Sequence, residues 1–225
     1  MSQTTRCVLL LCSFSSFCFA GPRKHKVAAE NDNLPQINVR VYNYAEVLPA
    51  KLAAAKTTAA RILRSAGIET AWFDCPRSNE ELPRFPACQH LRGGPAVLQV
   101  KILPKGMAER IGAPRLVFGL SMIPKGGGLA FHTSIFYHRV EAIAKKAGLS
   151  RAVILGHILA HEIGHLLLGR DSHSPSGIMH VPWLTEELRL ATQGSLLFTL
   201  RQAKRMRANA AERIRAGASG VAAPG

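Results

Sequence analysis

Two histidines and a glutamate with the spacing H-E-x-x-H lie in the second half of the chain: His161, Glu162 and His165. Residues four apart project from nearly the same face of a helix, so the two imidazoles can bind one metal ion. Glu162 directly follows the first histidine, and its carboxylate can reach a water in an open coordination position of that ion. This is the arrangement that metal-assisted hydrolysis requires, with zinc as the cofactor and Glu162 as the general base.

The residues around this motif predict a long helix from about Ser150 to Leu168, ended by Gly169. Its residues are apolar on almost every side, which leaves no solvated face and indicates a buried central helix. Polar groups at buried positions are costly unless they are paired or bind a metal. The helix therefore favours a functional interpretation of the motif.

A glycine, a histidine and a methionine follow this helix, at Gly169, His173 and Met179. Over residues 161–183 the chain resembles the metzincin group of zinc metalloproteases, whose motif H-E-x-x-H-x-x-G-x-x-H or D is followed by a Met-turn. The resemblance implies a zincin-like catalytic domain in which Met179 lies beneath the metal ligands. It also implies hydrolysis of peptides or proteins by zinc-activated water, by an endopeptidase more than an exopeptidase.

The third ligand is where this sequence departs from the metzincin motif. The motif's glycine position holds Leu168, and Gly169 comes one place later. The third-ligand position holds Asp171, and His173 lies two places beyond it. Because the turn is displaced, we favour a displaced ligand, His173, with Asp171 as the main rival because a carboxylate can also bind zinc.

Other acidic residues and histidines are alternatives for roles at the site. Glu186 or Glu187 could supply the third ligand, although both suit the first turn of a helix that begins near Thr185. His157 lies one turn before His161, too far from His165 to share one ion with it, and is interpreted as a core or supporting residue. Candidates for stabilising an oxyanion are three further histidines: His132, His138 and His180.

Periodicity and turn residues predict the elements that must position this site. The predicted strands are 37–42, 68–73, 96–103, 116–123 and 129–137, and the predicted helices are 49–66, 140–147, 150–168, 184–190 and 199–214. The expected fold is α+β: a zincin-like, mixed, mostly parallel twisted sheet of about five strands, backed by two long helices, with a helical C-terminal part. The metal is expected in a cleft below the edge strand.

The last two predicted strands are separated by a short segment rich in glycine, so we expect them to pair antiparallel. Strand 129–137 comes shortly before the metal-binding helix. Partly from the metzincin resemblance, we predict that this strand is the edge that pairs with an extended substrate.

The first twenty residues are typical of a secretory signal peptide. Arg6 provides the positive charge, residues 7–20 are apolar, and cleavage is predicted after Ala20, with an uncleaved anchor as the alternative. The predicted organisation is a signal peptide 1–20, a basic linker 21–34, a catalytic domain 35–216 and a disordered tail 217–225. The mature chain is expected to lack a transmembrane segment and to be secreted or periplasmic.

Signal removal would leave two cysteines, Cys75 and Cys88, in a chain bound for an oxidising compartment. We predict that they form a disulfide. Zinc binding by this pair is disfavoured because no second Cys or His pair lies around it at zinc-finger spacing.

The chain is strongly basic, with 29 Lys and Arg against 14 Asp and Glu and a net charge of +15. This charge favours nonspecific acidic partners. Aromatic residues for base stacking are not interleaved with the basic ones of helix 199–214, so specific nucleic-acid binding is not expected.

Two other functions fit the same residues. One is an exported, non-catalytic binding protein with a basic surface, stabilised by a zinc site that four protein ligands fill. The other is a zinc hydrolase of a non-peptide substrate, because H-E-x-x-H specifies activation of water and not the group attacked.

Overall fold

Five strands form one sheet, in the order β2-β1-β3-β5-β4. β1 pairs in parallel with β2 and β3, β3 pairs in parallel with β5, and β4 is antiparallel to β5. The mixed, mostly parallel sheet of five strands and the antiparallel pairing of the last two are therefore confirmed. The strands are β1 (Gln36–Asn43), β2 (Glu69–Cys75), β3 (Val97–Leu103), β4 (Gly119–Met122) and β5 (His132–Phe136).

This computed structural model describes residues 34–89, 94, 96–115, 117–124 and 129–220. The predicted signal peptide, and the predicted linker apart from its last residue, lie outside the described residues. Residues 221–225 of the predicted tail lie outside them as well.

The helices of the described chain include every one that was predicted. They are α1 (Pro49–Ser65), α2 (Pro86–Gln89), α3 (Lys105–Arg110), α4 (Tyr137–Ala147), α5 (Arg151–Leu168), α6 (Thr185–Thr192) and α7 (Leu200–Gly220), with a 3₁₀ turn at Leu82–Arg84. The 3₁₀ turn, α2 and α3 were not predicted, because elements this short show no helical repeat of apolar residues. Ser150 occupies the N-cap position of α5, but its hydroxyl makes no capping hydrogen bond.

Helix α7 continues beyond its predicted end at Ile214 and into the predicted tail. Residues 217–220 are therefore helical, and the prediction that the tail begins as disordered chain is wrong for them. Two of these four residues are glycine, so the extension does not come from composition. It comes from the helix before them, because adding a residue to an existing helix is easier than starting one, and the Ser219 hydroxyl donates to the carbonyl of Arg215.

The edge of the sheet differs from the prediction. Strand β5 lies between β3 and β4, so the prediction that strand 129–137 is the edge is wrong. The described edge strand on this side is β4, whose partner in the sheet is β5. Sequence patterns predict that two strands pair, but they do not say which of the two continues the sheet.

Helix α5 is the central element of the core. Fourteen of its eighteen residues are buried, and it packs against α1, α4, α7 and the strands β3, β4 and β5. Within the described chain it is the one helix long and apolar enough to span a membrane, but 78% of that window is buried inside the protein. It is therefore placed as a core helix, as predicted.

Two long-range links fasten the periphery to this core. Arg213 of α7 donates hydrogen bonds to the carbonyls of Leu166, at the end of α5, and Ala130, just before β5. Cys75, the last residue of β2, and Cys88 of α2 have their sulfur atoms 2.05 Å apart, the separation of a disulfide bond. The second link ties the loop after β2 back to the sheet.

Candidate metal centre

Three histidines converge at the end of α5. Ring nitrogens of His161, His165 and His173 all lie within 4.8 Å of one another, and the two Nε2 atoms of the helical pair are 3.0 Å apart. Zinc binds imidazole nitrogens at about 2.0–2.1 Å, so three nitrogens this close suit a single ion. The three residues that the sequence favoured as ligands are thus brought together.

The outer nitrogens of the two helical histidines are held by hydrogen bonds. Nδ1 of His161 lies 2.7 Å from the carbonyl of Ile178, and Nδ1 of His165 lies 2.7 Å from the hydroxyl of Ser172. Because a carbonyl can only accept, Nδ1 of His161 carries the proton and its Nε2 presents a lone pair to the group. Metal-binding histidines are typically oriented in this way, so the residues present fit a zinc ion.

The protonation of these rings is set by burial. Burial lowers the pKa of His161 to about 4. Burial, with repulsion from His161 and His173, lowers the pKa of His165 to about 3, and burial also lowers that of His173. The rings are therefore neutral at pH 7, which is the form that binds a metal.

Glu162 is buried beside the histidines and is held by one of its two oxygens. The hydroxyls of Ser121 and Thr133 lie 2.8 and 3.1 Å from its Oε2, and these two hydroxyls lie 2.9 Å from each other. Burial raises the pKa of Glu162 to about 7, although the two hydroxyl hydrogen bonds act in the opposite direction. A carboxyl group tuned close to neutral pH is suited to general-base and general-acid catalysis.

A glycine on the edge strand makes room for this carboxylate. A Cβ at Gly119 would lie 2.4 Å from both Cδ and Oε1 of Glu162, closer than real contacts allow. Strand β4 can therefore approach α5 at this position only because residue 119 has no side chain.

The chain after α5 returns beneath the histidines. Gly169 ends the helix with φ of 82°, a conformation that favours glycine. The chain then turns at Gly177, where the amide of His180 donates to its carbonyl, and this places Met179 fully buried under the site. A Cβ at Gly164 would lie 2.8 Å from the Met179 sulfur, so the methionine packs against α5 at the residue just before His165.

The rival ligands lie elsewhere. Asp171 is exposed, with φ of 52°, and is not a member of the three-histidine group. Glu187 accepts hydrogen bonds from His180 and from the amide of Leu184, and Glu186 forms an ion pair with Arg189. Both glutamates thus make their contacts around the first turn of α6.

The remaining histidines considered from the sequence are also outside the group. His157 is buried, and its Nδ1 lies 2.8 Å from the carbonyl of Val153, so it is a core residue. His132 lies beside Ser134, His138 is on α4, and His180 contacts Glu187. Among the described residues, the group that could hold a metal has three members.

A cleft of about 610 Å³ opens onto Glu162 and the three histidines. Edge strand β4 and the segment 181–183 form its walls, and most of the lining is apolar. Among the apolar lining residues are Val117, Phe118, Leu120, Ile158, Val181 and Trp183. A cleft with these walls can accept an extended chain with apolar side chains.

Sequence reasoning missed the residues that orient the site: Ser121, Thr133, Ser172 and Gly119. Each belongs to a common residue type without a motif around it. The one signal available was that a serine and a threonine interrupt two strands predicted to pair, and that signal does not indicate a carboxylate as their partner.

Comparison with known proteins found similarity to solved structures. Neither a protein-family model nor a curated protein sequence matches this chain. Among solved structures, the chain is similar to the archaemetzincin of Methanopyrus kandleri, with 13% identity, a TM-score of 0.46, and coverage of 81% of this chain and 98% of that one. A likeness of this strength does not assign a function to the protein. The function is therefore inferred from the geometry of the site.

Proposed function

We propose that this protein is a zinc metallopeptidase with a zincin-like fold, whose zinc is held by His161, His165 and His173. The observation that carries the proposal is the convergence of three neutral imidazoles beside a buried carboxylate, at the base of a cleft. When bound, zinc would act as a Lewis acid that lowers the pKa of water and polarises a carbonyl.

Glu162 is the general base of the proposed reaction. Its Oε2 accepts the hydrogen bonds from Ser121 and Thr133, which leaves Oε1 to take a proton from the attacking water and to give it to the departing nitrogen. Glu162 takes a proton from the attacking water as the oxygen bonds to the peptide carbon. It gives that proton to the departing nitrogen as the C–N bond breaks.

The substrate is proposed to lie extended along β4. This strand has one partner in the described sheet, β5, so its outer edge has backbone groups that can pair with a peptide. A chain lying along this edge can continue past the site in both directions, which favours an endopeptidase. Export by the segment 1–20 remains part of the proposal, and the Cys75–Cys88 pair suits an oxidising compartment.

A purely structural zinc site is the less favoured alternative. Such sites are normally filled by four protein ligands, whereas the described group has three and borders a cleft. A hydrolase of a non-peptide substrate uses the same chemistry, and the experiment below separates it from a peptidase.

The proposal is tested by mass-spectrometric detection of cleavage in a mixed peptide library, with zinc-loaded protein and a Glu162→Gln variant. We expect cleavage by the parent protein and a rate lowered by at least about 100-fold in the variant, because general-base catalysis typically contributes that much or more. Zinc content, measured by atomic emission, should be the same in both proteins.

Glu80→Gln, at an exposed turn, is the matched control and should cleave normally. Absence of cleavage by the zinc-loaded parent protein would overturn the peptidase proposal. Cleavage that persists in Glu162→Gln would overturn the role of this carboxylate.

A further inference from the structure

A second cavity lies next to the segment that carries His173. Its volume is about 480 Å³, and it lies between the segment after α5 and the first turns of α7. His173 lines both cavities, so a substrate that reaches the histidines from the cleft has this second cavity beside it.

Two arginines give this cavity a positive charge. Arg201 and Arg205 are exposed, lie one turn apart on α7, and both line it. Within the described part of the chain, neither has a hydrogen bond or an ion pair. Other arginines of the protein are engaged; Arg207, for example, donates to the carbonyl of Ala66.

The single carboxylate of the lining is that of Asp171, which leaves an excess of one positive charge. Gln202, a buried residue that follows Arg201 on α7, fastens this helix to the segment that carries His173. Its Nε2 donates to the Ser174 hydroxyl, and its Oε1 accepts from the Thr199 amide. The arginines are therefore presented from a fixed wall, and their guanidinium groups are available to an anion.

We propose that this cavity is a subsite for a carboxylate of the substrate, either an acidic side chain or a free C-terminus. Guanidinium groups bind carboxylates in a planar, two-pronged geometry, which makes the ligand a carboxylate in preference to a neutral polar group. The proposal rests on the proposed peptidase function, because it supposes that a peptide is bound at the histidines.

The subsite is tested by binding to the zinc-loaded Glu162→Gln protein, in which loss of the proposed base is expected to leave a bound peptide uncut. Fluorescence anisotropy gives the dissociation constants of pools of labelled eight-residue peptides. One pair of pools differs only in Glu or Gln at one position, and a second pair differs only in a free or an amidated C-terminus. We expect a carboxylate-containing pool to bind about three- to tenfold more tightly, the range expected for one or two exposed ion pairs. The pair of pools that differs identifies the source of the carboxylate.

The preference should disappear in Arg201→Gln/Arg205→Gln and persist in Lys204→Gln, an exposed lysine on the same helix that does not line the cavity. Asp171→Asn should increase it. Equal binding of all pools would show that the cavity does not recognise a carboxylate. An equal loss of preference in Lys204→Gln would show that general charge attraction causes the preference. Either result would overturn the subsite. The two proposals fail in different ways: measurable but equal binding of all pools counts against the subsite alone, whereas no binding of any pool counts against the peptide-binding site of the proposed function as well.

Discussion

The Glu162 carboxylate is oriented by two hydroxyl groups that belong to neighbouring strands. Ser121 lies on β4 and Thr133 on β5, and both reach Oε2. Gly119, two residues before Ser121, leaves the space that the carboxylate occupies. The position of the proposed base therefore depends on the pairing of β4 with β5 as much as on α5.

Removal of one hydroxyl should lower catalysis without unfolding the site. Thr133→Val keeps the shape of this fully buried side chain but deletes its hydrogen bond to Glu162. Hydrogen bonds to charged groups are worth about 1.5–3 kcal/mol, so we expect kcat to fall about 10- to 100-fold. Steady-state kinetics on a peptide found in the library checks this, and KM should change little because the hydroxyl contacts the base.

Thr133→Ser is the matched variant, because it retains the hydroxyl and removes only a methyl group. Recovery of most of the activity in Thr133→Ser, with normal zinc content in both variants, identifies an orienting role. If valine and serine variants lose activity equally, the effect comes from packing and the proposed role is wrong.

At the scale of elements, α5 is placed by its close contact with α1. A Cβ at Gly156 would lie 2.5 Å from the Thr58 Cβ and 2.7 Å from the carbonyl of Ala55, so a glycine at this position lets the two helices approach. The contact is about one and a half helical turns before His161, the first histidine of the candidate metal centre, and it sets how closely α5 approaches α1.

Gly156→Ala should therefore destabilise the protein, although alanine is the better helix former. Forcing a methyl group into a packed contact costs about 1–3 kcal/mol. Urea denaturation should show a correspondingly lower free energy of unfolding.

Gly106→Ala in α3 is the control, because a Cβ there has no atom within 4 Å. Its free energy of unfolding should stay the same or rise by less than about 0.5 kcal/mol, since Gly106 lies in the first turn of α3, where glycine is less unfavourable than in the middle of a helix. A Gly156→Ala protein as stable as the parent would show that α1 and α5 can move apart at no cost.

At the scale of the whole molecule, the candidate metal centre brings together three successive parts of the chain. α5 carries two of the histidines, the segment after it carries His173, and the turn at Gly177 holds Ile178, whose carbonyl orients His161. An ion bound here links these parts only in the folded chain, so zinc should raise the stability of the molecule.

Zinc at 100 times its dissociation constant adds about 2.7 kcal/mol to the free energy of unfolding. For a chain of this size we expect the melting temperature to rise by about 5–10 °C when zinc is added to chelator-treated protein. Differential scanning fluorimetry measures this rise.

The two rival ligands are separated by the same measurement. His173→Ala should lose most of the zinc-dependent rise, and Asp171→Ala should keep it, because the structure places only the histidine in the group. The opposite result would make Asp171 the ligand.

Local patterns in the sequence were enough to predict most of the secondary structure of this protein and two of the three candidate metal ligands. The strands, the long helices and the buried character of α5 follow from periodicity, because these elements are dictated by which neighbouring residues are apolar. The H-E-x-x-H spacing likewise determines that His161 and His165 share one face of a helix. Turn residues also indicated that β4 and β5 pair antiparallel.

Tertiary structure decided what local spacing leaves open. It placed β4 at the edge where strand 129–137 was expected, and it brought His173 to the histidines while leaving Asp171 at the surface. It also brought Ser121 and Thr133 to Glu162, which follows them by 41 and 29 residues. Contacts across such separations depend on how the sheet and α5 pack together, and residue periodicity along one element carries no information about that packing.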